Sequence, residues 1–219
     1  LDRSFYFESL YPFQDEVLKL VGEIDTGLYL TGGTAASRAY LHHRFSDDLD
    51  FFTNDSPNFE LWADRLIQVL QACEDWSTTV VQRERRFVRL SLIRNSVTLK
   101  IDMVNDVPSH LGEIRRHEIL GRIDTPENIL ANKLTAAVDR EEPKDFADIW
   151  GFCCRLGLPL SPAIEGAQSK AAGIFPADLA RLLCSVSRKD WELVRWIEAP
   201  NPDLFVSDLA KLGEGLVLV

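Results

Sequence analysis

The sequence predicts an α+β fold, with a mixed β-sheet and flanking helices over residues 1–122 and a helical bundle over residues 123–219. Three observations predict it. Short apolar runs alternate with stretches at helical spacing in the first part; strand-like segments follow one another from about Thr78; and beyond Gly121 the apolar residues recur at helical spacing almost to the end.

Each element has its own signal. Apolar positions from about Pro12 to Val21 recur at helical spacing and stop near Gly22, and Gly27 to Thr31 reads as a short buried strand. A helix is entered directly from the glycines and runs from Ala35 to His42, and the strand containing DLDFF follows Ser46. Asn54-Asp55-Ser56-Pro57 ends that strand with turn chemistry. Phe59 to Cys73 is amphipathic, with Trp62, Leu66, Val69 and Leu70 on one face. Three strands come next: STTVVQRE, RFVRLSLI and VTLKIDMV, the last two joined as a hairpin through Arg94-Asn95-Ser96. Alternation along RFVRLSLI gives one apolar and one mixed face, as in a half-buried sheet. Thr125-Pro126 is a helix start, a capping hydroxyl followed by proline at the first helical position. Helices are expected at Pro126–Asp139, Pro143–Leu156, Pro176–Ser187 and Asp190–Ile197.

Composition narrows the function. A chain of 219 residues that is 46% hydrophobic can bury a proper core, and its net charge of -10 argues against broad binding of DNA or RNA, which depends on neutralising phosphates. Cys73, Cys153, Cys154 and Cys184 form no C-x-x-C pair and read as reduced thiols of a cytoplasmic protein. No apolar run is long enough to span a bilayer, so no membrane partner is expected. The chain opens at Leu1 and its one methionine is Met103, which leaves the native N-terminus undetermined.

The chemistry concentrates in LTGGTAASRAYLHHRFSDDLDFFT, from Leu30 to Thr53. Side chains alternate along a strand, so Asp48 and Asp50 face the same way. Two such carboxylates repel unless a cation lies between them, and hard oxygen donors of this kind select Mg2+ or Mn2+. Asp102 sits alone in the apolar LKIDMV strand, where an ionised group needs a partner. If that strand lies beside DLD, three acids meet. Gly32, Gly33 and Thr34 read either as a tight turn or as a phosphate contact, with backbone N–H groups at a helix start and a hydroxyl donor. No Walker loop or dinucleotide fingerprint is present.

These motifs, Gly-Gly-Thr followed one helix later by SDDLDFF and further on by ANKLTAAVDREEPKDFADIW, resemble the nucleotidyltransferase superfamily and within it the abortive-infection toxins of the AbiEii/AbiGii type. The resemblance runs from about Leu28 to Trp150 and implies the nucleotidyltransferase-like fold. It also implies metal-dependent transfer of a nucleoside monophosphate from a nucleoside triphosphate such as ATP, with pyrophosphate leaving. The acceptor would be RNA, a protein or a small molecule, and the setting a toxin–antitoxin or phage-defence system with a cognate antitoxin. Asp48, Asp50 and Asp102 would be the catalytic and metal-binding acids, and Gly32, Gly33 and Thr34 the triphosphate contact. Lys133, Lys144, Asp145 and Asp148 would match the later nucleotide-binding elements. Thr34 stands where the wider superfamily more often has serine.

Several residues carry two readings. Lys133, polar on an otherwise apolar helix, either reaches solvent or faces a cleft between the two halves. Arg140, Lys144, Asp145 and Asp148 are a nucleotide element or an ordinary set of helix-face ion pairs. His42 and His43 are placed to cap helix carbonyls rather than to ligate metal. Arg83, Arg85, Arg86 and Arg89 form a solvated strand face or a contact for RNA, and the lack of interleaved aromatics favours the former. A metal-dependent phosphohydrolase and a non-catalytic nucleotide-binding module are the competing functions.

Overall fold

Seven strands in the order β3-β4-β5-β2-β1-β7-β6 make one mixed sheet in the computed structural model, which describes residues 3–217. The chain divides into two compact units, each discontinuous in sequence. The first holds residues up to Ala35, Ser46–Pro108 and Glu113–Asp124; the second holds Ala36–Phe45, Ser109–Gly112 and the chain from Thr125 on.

The first unit opens with a π-helical turn, Phe5–Leu10, that leads into α1 (Tyr11–Glu23). β1 (Tyr29–Thr31) passes directly into the short α2 (Gly32–Ala35), three residues earlier than the expected helix start. Gly32 has φ +66°, a conformation in which a strand can turn at once into a helix and which L side chains resist. β2 (Leu49–Asn54) and α3 (Phe59–Ala72) follow. α3 buries Phe59, Ala63, Leu66, Ile67 and Leu70, a stripe rotated away from the expected Trp62 and Val69. Trp62 instead packs on Gly27, where an added Cβ would lie 2.3 Å from the ring.

β3 (Ser77–Glu84), β4 (Phe87–Arg94) and β5 (Val97–Asp106) form an antiparallel meander, and β5 then pairs with β2 in parallel. The β4–β5 connection is a two-residue turn, Asn95-Ser96, not the three-residue one expected, because Arg94 pairs with Val97. Both turn residues have positive φ, 48° and 70°, as a tight hairpin of right-handed twist demands. β6 (Arg115–His117) and β7 (Gly121–Ile123) close the other edge. Leu49, Phe51, Val88, Leu90, Leu92, Leu99, Ile101 and Met103 are buried on one face of the sheet, whereas Asp50, Phe52, Phe87, Arg89, Ser91 and Lys100 on the other are only half-buried.

The second unit is helical. It takes in a π-helical turn (Ala36–Leu41), α4 (Pro126–Arg140), and α5 (Pro143–Trp150) extended by a π-helical turn to Arg155. α6 (Leu160–Lys170), α7 (Pro176–Ser185), α8 (Arg188–Leu193) and α9 (Pro202–Gly215) complete it. Thr125 caps α4 as expected, its hydroxyl accepting from Asn128 N–H at 3.1 Å. α8 starts two residues before its expected position because Ser187 and Asp190 form a reciprocal capping box. Among the described residues, no helix is long and apolar enough to cross a membrane.

Candidate active site

The sheet's half-buried face carries the acids. β2 and β5 run in parallel with Asp50 opposite Asp102, and β4 places Arg89 opposite Asp102 from the other side. One row across three strands therefore reads Arg89, Asp102, Asp50. One step along β5, on the same face, stands Lys100, whose ammonium lies 2.7 Å from Asp48 Oδ2 and 3.9 Å from Asp102 Oδ2. Arg89 grips Asp102 with both arms, Nε to Oδ1 and Nη2 to Oδ2, each at 2.8 Å. The fork-to-fork geometry fixes the carboxylate plane as well as its charge. Burial works against the Lys100 ammonium, yet Asp48, Asp102 and Asp50 together hold its pKa above the usual lysine value.

The glycine turn is built against this row. An added Cβ at Gly32 would lie 2.3 Å from Asp50 Oδ2, so only glycine lets the carboxylate sit there. Thr34 is buried; its hydroxyl donates to the carbonyl of Asp48 and stands 3.0 Å from the Ser46 hydroxyl. It fastens the turn to the entrance of β2. The same segment is held from α1, where Gln14 Nε2 donates to the Asp47 carbonyl at 2.9 Å and Ser46 N–H donates to the Tyr11 phenol at 3.3 Å. Farther along β1, the Thr31 hydroxyl donates to the buried Asp124.

Lys133, Lys144, Asp145 and Asp148 belong to the second unit, and three of them are buried together. Lys133 Nζ lies 2.9 Å from Asp145 Oδ1 and 2.8 Å from Asp148 Oδ2, with 0% exposure for both aspartates. Lys133 thus does not reach for solvent: it is buried between two carboxylates. Arg140 donates to Asp145 through Nε at 2.8 Å, and Arg44 clamps Asp148 through Nε and Nη2, each at 2.7 Å. His43 does not cap a carbonyl with its ring; Nε2 lies 2.9 Å from Asp148 Oδ1, and Nδ1 has no hydrogen-bond partner. Lys144 is separate and exposed, paired with Glu142 at 2.8 Å. Burial would raise the Asp148 pKa, but Arg44 and Lys133 override it and hold the carboxyl well below its usual range. Burial would likewise lower the Lys133 pKa, and Asp148 and Asp145 reverse the effect. For His43 burial wins over Asp148, so the ring is neutral more readily than a free histidine.

The family description "Nucleotidyl transferase AbiEii toxin, Type IV TA system" matches residues 21–153, which is well over half of the chain. The chain belongs to the AbiEii nucleotidyltransferase toxin family. This AbiEii chain is similar in fold to JHP933 from Helicobacter pylori, at 19% identity and TM-score 0.65 over 99% of this chain and 92% of that one. A putative nucleotidyltransferase from H. pylori aligns at 18% identity and TM-score 0.64 over 99% and 95%. MenT4, the nucleotidyltransferase toxin Rv2826c from Mycobacterium tuberculosis H37Rv, aligns at 15% identity and TM-score 0.68 over 96% and 83%. No curated protein sequence matches the chain.

AbiEii enzymes are nucleotidyltransferases, and such chemistry implies a divalent ion. The donor set fits: three carboxylates share one face, and a side-chain-free turn backs Asp50. Among the described residues, however, no three His, Cys, Asp or Glu side chains form a ligand cluster; Lys100 is paired with Asp48 and Arg89 with Asp102. Sequence reasoning missed these two bases and Arg44 as partners of the acids. For Arg89 the signal was there, in the turn that sets the β4–β5 register.

Proposed function

We propose that this AbiEii-family chain transfers a nucleoside monophosphate from a nucleoside triphosphate to a hydroxyl on RNA, protein or a small molecule, in a metal-dependent reaction, as a cytoplasmic toxin restrained by a cognate antitoxin. The observation that carries the reading is the juxtaposition of Asp50 with Asp102 in register on β2 and β5, with Gly32 pressed against the Asp50 carboxylate.

In such a transfer the acceptor hydroxyl oxygen attacks the α-phosphorus and gives up its proton to solvent, the bond from that phosphorus to the oxygen bridging to the β-phosphate breaks, and pyrophosphate departs with that oxygen. A Mg2+ or Mn2+ ion held by Asp48, Asp50 and Asp102 would neutralise charge on the phosphate oxygens. The backbone N–H groups of Gly32 and Gly33 approach the triphosphate because no side chain intervenes, while Thr34 keeps the turn in place. Both oxygens of Asp102 already accept from Arg89, which favours Asp102 in orienting the acceptor hydroxyl over removing its proton. In the second unit, Asp145 and Asp148 keep the Lys133 ammonium charged and fixed, and Lys144 is an exposed cation; these are the residues that match the family's later nucleotide-binding elements.

The test is incubation of the chain with Mg2+, total RNA or protein, and triphosphates labelled at the α-phosphate. Label joined to an acceptor supports transfer. Release of labelled monophosphate alone, with nothing joined, would make the chain a phosphohydrolase and overturn the reading.

A further inference from the structure

Three carboxylates and two bases share the half-buried sheet face, so the acids are close to neutralised without any metal ion. The two bases are held differently. Arg89 makes two parallel bonds of 2.8 Å in a rigid fork and so stays with Asp102. Lys100 is a compact charge on a flexible four-carbon stem, close to one carboxylate at 2.7 Å and distant from the second at 3.9 Å. Its position follows from the fold: two residues before Asp102 on β5, it faces the same way, and the parallel pairing with β2 sets it beside Asp48. A cation bound by Asp48 and Asp102 must therefore compete with the ammonium already between them.

We propose that Lys100 is a displaceable cation, which stands between Asp48 and Asp102 in the nucleotide-free chain and passes to a phosphate oxygen of the incoming nucleotide when the carboxylates are given over to a divalent ion. The inference rests on the metal-dependent reading above. It makes Lys100 a positioning residue for the acids before the reaction and a phosphate contact during it. The site then stays poorly receptive to a free divalent ion and becomes receptive when a triphosphate arrives to take the ammonium away.

The two halves of this role predict opposite effects of one substitution. In Lys100→Met, Mn2+ binding to the nucleotide-free full chain, followed by electron paramagnetic resonance of the free ion, should tighten about tenfold, since a unit charge a few ångströms from the ion has gone. Binding of a non-hydrolysable triphosphate analogue in the presence of Mn2+ should weaken about tenfold, because a charge-assisted bond to phosphate is lost. Lys100→Arg should return both affinities toward wild type, and Lys100→Gln should behave as Lys100→Met. A purely structural lysine would not move the two affinities in opposite directions. Mn2+ binding to Lys100→Met no tighter than to wild type, with Asp50→Asn abolishing binding in both backgrounds, overturns the role of Lys100 and leaves the metal reading standing. Absence of Mn2+ binding to every form, with or without the analogue, overturns the metal reading itself and this inference with it.

Discussion

Replacing Asp148 with asparagine removes one negative charge from the most enclosed ionic cluster of the chain while keeping the side chain's shape. Asp148 is fully buried and meets Arg44 at 2.7 Å through two bonds, Lys133 at 2.8 Å and His43 at 2.9 Å. Removing one partner of a buried ion pair costs about 3–5 kcal/mol, because the charge left behind is uncompensated and out of water. Asp145 still lies 2.9 Å from Lys133, and Arg44 keeps its bond to the Phe45 carbonyl at 3.0 Å, so we expect a loss near the lower bound, about 3 kcal/mol. Urea unfolding followed by tryptophan fluorescence suits the question, since Trp150 lies on the same helix and Trp196 packs 6.2 Å from the His43 ring. Glu142→Gln is the control: its pair with Lys144 is exposed and should be worth less than about 1 kcal/mol. Acid gives a second reading. The folded Asp148 pKa lies below the unfolded value of about 3.9, so its contribution is full above that pH and is lost as pH falls toward the folded value. Asp148→Asn should accordingly have a flatter acid limb below about pH 4. A loss under about 1 kcal/mol, or an unchanged acid limb, would show that the cluster is solvated or readily rearranged, against the burial argued here.

Three further expectations follow from the geometry. Asp50→Asn should lower transfer by about a hundredfold or more, as removal of a preorganised charge-stabilising group does, while thermal unfolding stays near wild type because one of a set of like charges has gone; wild-type turnover would end the assignment. Gly32→Ala should lose both stability and transfer: the left-handed backbone alone costs about 1–2 kcal/mol, and the new Cβ meets Asp50 Oδ2 at 2.3 Å, so a variant with normal melting and turnover would contradict the close approach. His43→Gln should flatten stability on the acid side of neutrality: the buried ring has a lowered pKa, so wild type loses stability as pH falls from about 6.5 toward the folded value, by up to about 1.4 kcal/mol per pH unit. Urea midpoints at several pH values between 5 and 7.5 check this, and an unchanged slope in the variant would remove His43 as its source.

The sheet meander and the helices with strong caps were legible in the sequence because their signals are local. Alternation in RFVRLSLI gave the faces, and Thr125-Pro126 gave a helix start that the structure repeats. β6 and β7 were not legible, since three residues such as Arg115-Arg116-His117 carry no alternation and are strands only through their neighbours. α6 and α9 were read only as part of a helical region without bounds. Asn201, whose side chain accepts from Asp203 N–H and Leu204 N–H, was a usable start signal for α9. The buried ionic cluster was the least legible feature. Lys133, Arg44 and Asp148 are far apart in sequence, and no local pattern says that two aspartates on α5 will be fully enclosed while Lys144 beside them stays in water.

The acid face turns on one residue of register. Asn95 and Ser96 adopt the two successive positive-φ conformations of a tight hairpin, so Arg94 meets Val97 and, counting back along both strands, Arg89 meets Asp102. A connection one residue longer would have set the strands out of step and denied Asp102 its clamp, since side chains alternate with a period of two. With the hairpin in step, the parallel pairing of β5 with β2 carries the alignment on to Asp50, and Lys100 falls beside Asp48. Two turn residues remote from the acids thus determine which bases neutralise them. The arrangement also explains how Asp102 is accommodated in an apolar strand: its charge is matched across the sheet by a base from the same hairpin.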